Sequence, residues 1–335
     1  MACVLAEAGH NVVGCDIQSR LIQLERDGVH QWELGLPELW EQVKGNISLS
    51  AFPTPGCKLV FVCVQTPVSD DGSFDLSFIK SAISDNADSL VLCSTVAPGD
   101  CQKLGIRVYN PQWIALGNAL HGLRNPPMVL LGHSFTAHSL PIGDLVAKTF
   151  ELWRTVTKSP VMPVTLEEAE IIKLGLNAYL GLHVSFGEVL GELCAKIGTD
   201  IGTVLKGLNL DPRVSTSYMW PTGLGYGGPC FPKDIRAFIQ AAGNPFWLKA
   251  MEQYNQSLPS RFAARFTPDD KVYITNTNYK EGVPVQDESP YVALAAALPV
   301  RAMDIEEATH VVVTGKEVPK VSPSTQVIRL WDGVD

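Results

Sequence analysis

One stretch decides the fold class: Lys58-Leu59-Val60-Phe61-Val62-Cys63-Val64, followed by Gln65-Thr66-Pro67. A continuous apolar run of this kind is typical of a strand that is buried on both faces of a parallel sheet. A second run, Leu90-Val91-Leu92-Cys93, repeats the pattern and ends in Ser94-Thr95-Val96-Ala97-Pro98-Gly99. The two runs predict an α/β fold in which polar residues follow buried parallel strands.

The ends of these strands are candidate binding positions. In open α/β sheets ligands lie beyond the carboxyl ends of the strands, which is where Thr66 and Thr95 fall; the alternative is that both residues only cap the next helix. Residues 1–10 predict a helix that ends at Gly9, and residues 11–16 predict a strand that ends at Asp16. An acid at this place in a dinucleotide-binding unit binds ribose hydroxyls, and a solvated loop aspartate is the equal alternative.

A first strand and a GxGxxG turn would be expected before that helix, and the sequence does not contain them. Either the sequence begins at an internal methionine, or the protein lacks the loop that places backbone amides against a pyrophosphate. Further strands are predicted at 107–109 and 128–132, and the first domain is expected to close near residue 155.

A long helix is predicted from Thr165 through Cys194, with Thr165-Leu-Glu-Glu168 as a capping box. Glu170, Lys173 and Asn177 stand three and four residues apart, so they share one helical face. That face can line a cleft, but the favoured interpretation from spacing alone is a solvated stripe with an i,i+3 ion pair.

The segment Trp220–Asp234 places four glycines within residues 223–228, beside Tyr226, Cys230 and Phe231. Because glycine loses much backbone entropy on folding, such a run predicts a ligand loop rather than a flexible linker. Residues 271–335 then predict a small α/β unit. Its strands are expected at 271–275, 309–314 and 328–332, with a helix around 290–298.

Composition narrows the class of protein. The chain has 335 residues, of which 46% are hydrophobic and 18% charged, as in a globular protein of two or three domains. A net charge of −9 without basic clusters argues against binding of nucleic acid. The sequence contains no run of about 20 apolar residues, so no membrane helix is predicted. The eight cysteines show no zinc-ligand spacing. We expect them to be reduced, which indicates a cytoplasmic location, and we expect Cys63 and Cys93 to be buried as small hydrophobes.

Taken in order, the motifs resemble those of the UDP-glucose/GDP-mannose dehydrogenase family from residue 1 to about 255. The motifs are Asp16 after a strand, Val64-x-Thr-Pro, Ser-Thr-Val-x-Pro-Gly, Asn-Pro, Glu170-x-x-Lys-x-x-x-Asn and Gly-Tyr-Gly-Gly-x-Cys-Phe-Pro-Lys-Asp. The resemblance implies two Rossmann-like domains joined by a long central helix, with the N-terminal domain lacking its first strand and glycine loop. It divides the chain into an NAD-binding-like domain (1–155), a central helical dimerisation domain (156–255) and a short nucleotide-sugar-binding-like domain (256–335).

The resemblance also implies a reaction, a cofactor and partners. NAD would oxidise the C6 alcohol of a sugar nucleotide twice, through a thiohemiacetal and a thioester on Cys230, in a homodimer. It implies an oxyanion-stabilising role for Lys173 and Asn177, and proton and water handling by Asp234 and Thr95. The implied cofactor contacts are Asp16, Val64, Thr66, Thr95 and Lys233. The implied substrate contacts are Gln112, Gly225, Tyr226, Gly227, Gly228 and Lys280.

Some residues depart from the family pattern. The family segment Asn-Pro-Glu-Phe-Leu-x-Glu-Gly has Gln112 and Leu116 in place of its two glutamates, and Asp287 stands where the family places an arginine near NAD. A glutamine cannot act as a general base, so release of the acid is expected to be slow. Two hypotheses follow: a divergent nucleotide-sugar 6-dehydrogenase, or a relative that binds a sugar nucleotide but has lost normal NAD oxidation or thioester hydrolysis.

Overall fold

A computed structural model describes residues 1–52, 54–69, 71–83, 89–134 and 143–330. The chain forms two compact units, Met1–Leu174 and Gly175–Asp335, and each is described by itself. The division into three domains that the sequence predicts remains a prediction.

The first unit alternates helices and strands. In chain order they are α1 (Ala2–Glu7), β1 (Val12–Cys15), α2 (Gln18–Asp27), α3 (Leu36–Val43), β2 (Ile47–Ser50), β3 (Val60–Val62), α4 (Ser77–Ala82), β4 (Leu90–Leu92), α5 (Asp100–Lys103), β5 (Val108–Tyr109), α6 (Ala119–Arg124), β6 (Val129–His133), α7 (Asp144–Val156) and β7 (Val161–Thr165). A short 3₁₀ helix, Lys44–Asn46, precedes β2.

Parallel pairing dominates this unit, as the apolar runs predict. Strands β1 and β2 pair in parallel, and the other strands form a sheet in the order β3-β4-β5-β6-β7. The residues of β4 are almost completely buried, because one apolar cluster packs on each face of the sheet. Trp153 of α7 is among the largest fully buried side chains of these clusters.

Two features of the sheet were not predicted. Strand β6 runs antiparallel to β5, and β7 adds a further strand beside β6. The sequence does not predict a strand at 161–165, because Pro163 interrupts the apolar pattern there. A proline lacks the N–H that a central strand needs, and β7 tolerates Pro163 because it is the edge strand.

A single long helix, α8 (Leu166–Ile197), crosses from the first unit into the second. Its predicted capping box is confirmed: the Thr165 N–H donates to Glu168 Oε2 at 2.8 Å, and the Glu168 N–H donates to Thr165 Oγ1 at 3.2 Å. The paired bonds satisfy two backbone donors, one of them in the first turn of α8, which would otherwise lack acceptors.

The second unit continues with helices and a small sheet. Its elements after α8 are α9 (Ile201–Asn209), α10 (Phe231–Ala241), α11 (Phe246–Ala263), β8 (Val272–Ile274), α12 (Pro290–Ala297), β9 (His310–Val313) and β10 (Gln326–Arg329), with a 3₁₀ helix at Ile305–Glu307. The three strands are parallel, in the order β10-β9-β8.

The C-terminal strands and helix confirm the predicted small α/β unit. The last strand begins two residues earlier than expected and ends at Arg329, while Trp331 and Asp332 lie outside the described residues. Among the residues that the structure describes, no helix is long and apolar enough to cross a membrane.

Candidate active site

The polar residues that follow the strands of the first unit lie where the sequence predicts. Asp16 is exposed directly after β1, and its Oδ1 accepts the Ile17 N–H at 2.8 Å. Thr66 is buried after β3, and Thr95 is half-buried after β4. The Val64 carbonyl accepts the Ser94 hydroxyl at 2.6 Å, which ties the segment after β3 to the segment after β4.

Gln112 lies in a network centred on Asn110. The Gln112 Nε2 donates to the Asn110 carbonyl at 2.7 Å and to Asn110 Oδ1 at 2.9 Å, and it lies 3.7 Å from Cys93 Sγ. The same Asn110 Oδ1 accepts the buried indole N–H of Trp153 at 2.8 Å. The amide of Gln112 is therefore a structural donor at this place, a role that a carboxylate cannot fill.

The shared face of Glu170, Lys173 and Asn177 is not a solvated stripe, and that interpretation was wrong for two of its three residues. Glu170 is fully buried, and its carboxylate accepts the N–H groups of Gly99 at 2.6 Å and Cys101 at 2.8 Å. Burial raises the pKa of Glu170, and these hydrogen bonds oppose that effect. Glu170 thus anchors the segment that follows Thr95.

Lys173 contacts the segment that carries Gln112. Its Nζ donates to the Gln112 carbonyl at 2.8 Å and lies 5.1 Å from the centre of the Trp113 ring. Both partners belong to the first unit. The ammonium group is held by a carbonyl dipole and an aromatic face, which are two favourable environments for a cation.

Cys230 lies at the N-cap position of α10 and is exposed. Helix N-termini favour negative charge, which suits a thiolate nucleophile. One turn later, Asp234 is buried and its Oδ2 accepts the Asn177 amide at 2.6 Å, while its Oδ1 accepts Lys233 Nζ at 2.5 Å. The structure therefore brings Asn177, Asp234 and Lys233 together at the first turn of the helix that Cys230 caps.

The glycine loop ahead of Cys230 is fastened to α8 by Glu188. This buried carboxylate accepts the N–H groups of Thr222, Gly223 and Gly225 at 2.9, 2.8 and 3.1 Å. Burial raises the pKa of Glu188, against the opposing effect of these bonds. Glu188 was not predicted as a functional residue. Its signal in the sequence is weak: Asn177 precedes it by eleven residues, which puts both on one face of the helix.

Close packing explains two of the glycines. Gly225 has φ +75° and Gly228 has φ +85°. A Cβ at Gly225 would collide with the side chain of Asn255, and one at Gly228 would collide with the Tyr279 ring. The backbone approaches the protein's own groups here, so the predicted ligand contacts of Gly225, Gly227 and Gly228 remain predictions.

Asn255 holds the loop at Tyr226, and we call the contacts of Glu188 and Asn255 with the loop backbone the clamp on the glycine loop. Asn255 accepts the Tyr226 N–H at 2.8 Å and donates to its carbonyl at 3.0 Å, as a paired strand would. The Tyr226 hydroxyl donates to Glu252 at 2.5 Å. Burial raises the pKa of Tyr226, and the negative charge of Glu252 adds to this shift.

The remaining predicted residues lie at the surface of the second unit. Lys280 and Asp287 are both exposed. His183 of α8 is buried, and its Nδ1 donates to the Ser217 carbonyl at 3.1 Å. Within the described parts of the chain, no cluster of three His, Cys, Asp or Glu residues could hold a metal ion.

The fold and these contacts define a class: an α/β protein of the Rossmann type, with polar residues after its parallel strands and a thiol at a helix N-terminus. A UDP-glucose dehydrogenase from Pyrobaculum islandicum has this fold, with a TM-score of 0.80 and 22% identity over 98% of this chain and 90% of its own. A UDP-D-ManNAc dehydrogenase from Pyrococcus horikoshii has a TM-score of 0.78 over 93% of this chain and 85% of its own, at 22% identity.

Residues 1–154 match the NAD binding domain of the UDP-glucose/GDP-mannose dehydrogenase family, and residues 167–257 match its central domain. The chain belongs to this family of oxidoreductases, and NAD is the cofactor that the N-terminal match assigns to it.

Curated relatives agree with this family. The UDP-glucose 6-dehydrogenase AglM of Haloferax volcanii is 29% identical over 89% of this chain and 77% of its own length. The UDP-glucose 6-dehydrogenase TuaD of Bacillus subtilis is 31% identical over 72% of this chain. The chain spans only 57% of TuaD's length.

Proposed function

We propose that this protein oxidises the C6 alcohol of a sugar nucleotide of the UDP-glucose or GDP-mannose type, using Cys230 as a covalent nucleophile. The observation that carries the proposal is the exposed Cys230 at the start of α10, with the buried Asn177–Asp234 pair one turn behind it. An exposed thiol at a helix N-terminus, followed one turn later by a buried and hydrogen-bonded carboxylate, combines a nucleophile with fixed polar groups, as covalent catalysis requires.

The residues present fit NAD at the strand ends of the first unit. Asp16 lies directly after β1, and its exposed carboxylate can accept hydrogen bonds from ribose hydroxyls. Val64 and Thr66 follow β3, and Thr95 follows β4. When bound, NAD supplies the hydride acceptor for each of the two oxidations. The residues of this chain hold the cofactor and orient the sugar carbon.

The chain's own groups account for the covalent steps. The Cys230 sulfur adds to the C6 aldehyde carbon and retains that carbon as a thiohemiacetal and then as a thioester. The proposed roles of Lys173 and Asn177 are to stabilise the oxyanion, because both are fixed donors. Asp234 and Thr95 are proposed to handle protons and water, and Lys233 to contact the cofactor. Gln112, Tyr226, the glycines beside it and Lys280 are proposed to contact the substrate.

Gln112 supports a second candidate function, in which oxidation proceeds but the acid is released slowly or not at all. Hydrolysis of a thioester needs a base that takes a proton from water, and positioned bases contribute roughly 10²–10⁴-fold. The side chain of Gln112 is an amide whose nitrogen already donates to both oxygens of Asn110. The thiol adduct would then persist.

The test is to mix the purified chain with NAD and either UDP-glucose or GDP-mannose, while following the absorbance of NADH and the intact mass. Repeated turnover with release of the acid supports the first candidate. A single burst of NADH with a covalent sugar adduct on Cys230 supports the second. Absence of both NADH and a covalent adduct with either sugar nucleotide overturns the proposed oxidation.

The control variants separate the thiol from general damage. Cys230→Ala is expected to abolish the adduct and net acid formation. Cys57→Ala removes a partly exposed cysteine outside the site, so it should leave NADH formation unchanged. Binding of a sugar nucleotide to wild type without any NADH would leave the chain as a binding relative of the family.

We also propose that the protein is a homodimer built on α8. Apolar side chains recur every three or four residues along one side of this helix and remain between 37% and 56% exposed. They are Tyr179, Leu182, Phe186, Val189 and Leu193. A seam with this spacing is typical of helices that pack against another helix.

A further inference from the structure

The structure places two cysteines side by side at the ends of neighbouring strands. In the parallel pair β3 and β4, Val62 is the register partner of Leu92, so the next pair is Cys63 and Cys93. The paired strands end at Val62 and Leu92, and the Cys93 N–H still donates to the Val62 carbonyl at 2.9 Å, so the two cysteines lie directly beyond the paired strand ends. Register partners in a parallel sheet direct their side chains to the same face.

The spacing suits a covalent bond between them. Neighbouring strands lie about 4.8 Å apart. A disulfide spans Cα separations of roughly 4.4 to 6.8 Å. Cysteine partners on adjacent strands therefore need little movement of the backbone to become linked.

The two thiols also differ in the way that a reactive pair requires. Cys93 is buried, with 7% of its surface exposed, whereas Cys63 is exposed, contrary to the expectation that both would be buried hydrophobes. The Gln112 amide donates toward Cys93 Sγ at 3.7 Å. Hydrogen bonding from Cys93 lowers the pKa of Cys63 against an opposing effect of burial, whereas burial raises the pKa of Cys93.

We propose that Cys63 and Cys93 are a redox modification site, which a hydroperoxide converts reversibly into a disulfide. The Cys63 thiolate attacks one oxygen of hydrogen peroxide and becomes a sulfenic acid, and the other oxygen leaves as water. The Cys93 sulfur then attacks the Cys63 sulfur, and the sulfenic oxygen leaves as a second water. Two thiols and one peroxide thus yield one disulfide and two waters.

The pair does not include Cys230, and it lies at the strand end that precedes Val64 and Thr66, the residues proposed to contact NAD. A disulfide would join the residue before this segment directly to β4. It would also remove the sulfur proton that Cys93 donates to Cys63, while the Gln112 amide could still approach the oxidised sulfur.

The test exposes the full chain to an equimolar amount of hydrogen peroxide, blocks the remaining thiols with iodoacetamide and maps the peptides by mass spectrometry. We expect two of the eight thiols to be lost, and a cross-linked Cys63–Cys93 peptide to appear that dithiothreitol separates. Recovery of Cys63 and Cys93 in the alkylated form, while Cys15 or Cys230 is oxidised, would overturn the proposal.

Two variants assign the order of the steps, and the wild-type peptide map does not depend on their folding. Cys93→Ser should leave Cys63 as a sulfenic acid that dimedone traps, because no second sulfur can attack it. Cys15→Ser is the matched control. Cys15 is also exposed, but partial burial of its thiol and the charge of Asp16 raise its pKa. The Cys15→Ser variant should therefore still form the Cys63–Cys93 cross-link. Absence of a dimedone adduct in the folded Cys93→Ser variant contradicts the assigned order.

Discussion

The side chain of Gln112 illustrates how one residue can decide between two chemistries. Its amide nitrogen donates to two oxygens of Asn110. The Asn110 Oδ1 also accepts the indole N–H of Trp153, and the Asn110 Nδ2 donates to the Leu130 carbonyl of strand β6. A carboxylate at position 112 would place an oxygen, which can only accept, against the two Asn110 oxygens, which also accept. The local network is therefore adapted to an amide.

The first prediction concerns Gln112→Glu. We expect the variant to lower the free energy of unfolding by about 1–3 kcal/mol, because the Asn110 oxygens lose their donor while a carboxylate is placed against them. Urea denaturation measures the change. Gln102→Glu, at an exposed position of α5, is the control and should stay within about 0.5 kcal/mol of wild type. A Gln112→Glu protein as stable as wild type would contradict this interpretation.

The spacing of residues along α8 predicted which side chains share a helical face, but not which groups of the protein contact that face. The positions of Glu170, Lys173 and Asn177 on one side of α8 followed from the helical period. The burial of Glu170 and Asn177 did not, since their partners are backbone N–H groups at 99 and 101 and a side chain at 234, all distant in sequence. A single sequence carries little information about such long-range contacts.

Three loops are fixed by buried glutamate side chains that accept hydrogen bonds from the loop backbone. Glu33 accepts the N–H groups of Gly117 and Ala119, Glu170 those of Gly99 and Cys101, and Glu188 those of three residues in the glycine loop. Each glutamate replaces the water that exposed loop amides would otherwise bind. The loops are thereby fixed without regular secondary structure.

Glu188→Ala tests this anchoring in the second unit. Removing the carboxylate leaves three backbone donors and the Thr222 hydroxyl without this acceptor, so we expect a loss of about 3 kcal/mol in the free energy of unfolding. Glu192→Ala is the matched control on the same helix. Its ion pair with Arg261 is half-exposed, so removing it should cost less than about 1 kcal/mol. Equal losses in both variants would argue against the anchoring role.

The same carboxylate predicts a dependence of stability on pH. Because the folded state raises the pKa of Glu188 above its ordinary 4.5, the folded chain keeps a proton that the unfolded chain releases as the pH rises past that value. Stability from this group should therefore fall between pH 4.5 and the raised pKa, and stay level above it. Denaturation across this range should show a smaller decline for Glu188→Gln than for wild type. An unchanged slope contradicts the prediction.

Element prediction succeeded where the period was uninterrupted. The strands at 60–62, 90–92 and 310–313 and the capped start of α8 all follow from apolar runs or capping residues. Strand β7 was missed because Pro163 breaks the pattern, and the antiparallel entry of β6 was missed because strand direction is set by tertiary pairing.

For the whole molecule, the exposed seam on α8 leads to a prediction about assembly. Phe186→Asp should shift the protein toward monomer in sedimentation velocity, because a charge would have to be buried in the proposed helix contact. Ala195→Asp is the matched control, since it is exposed and lies roughly 180° around the helix from Phe186. A wild-type protein that is monomeric at all concentrations tested would overturn the proposed dimer.

The clamp on the glycine loop has a consequence for how the protein is made. The Gly228 N–H reaches the Glu288 carbonyl at 3.1 Å, and Tyr226 depends on Asn255 for both of its backbone bonds. A ribosome releases Cys230 well before either of these later residues. The nascent thiol therefore spends the interval on an unclamped backbone, and that stretch of translation is when a reducing environment protects it most.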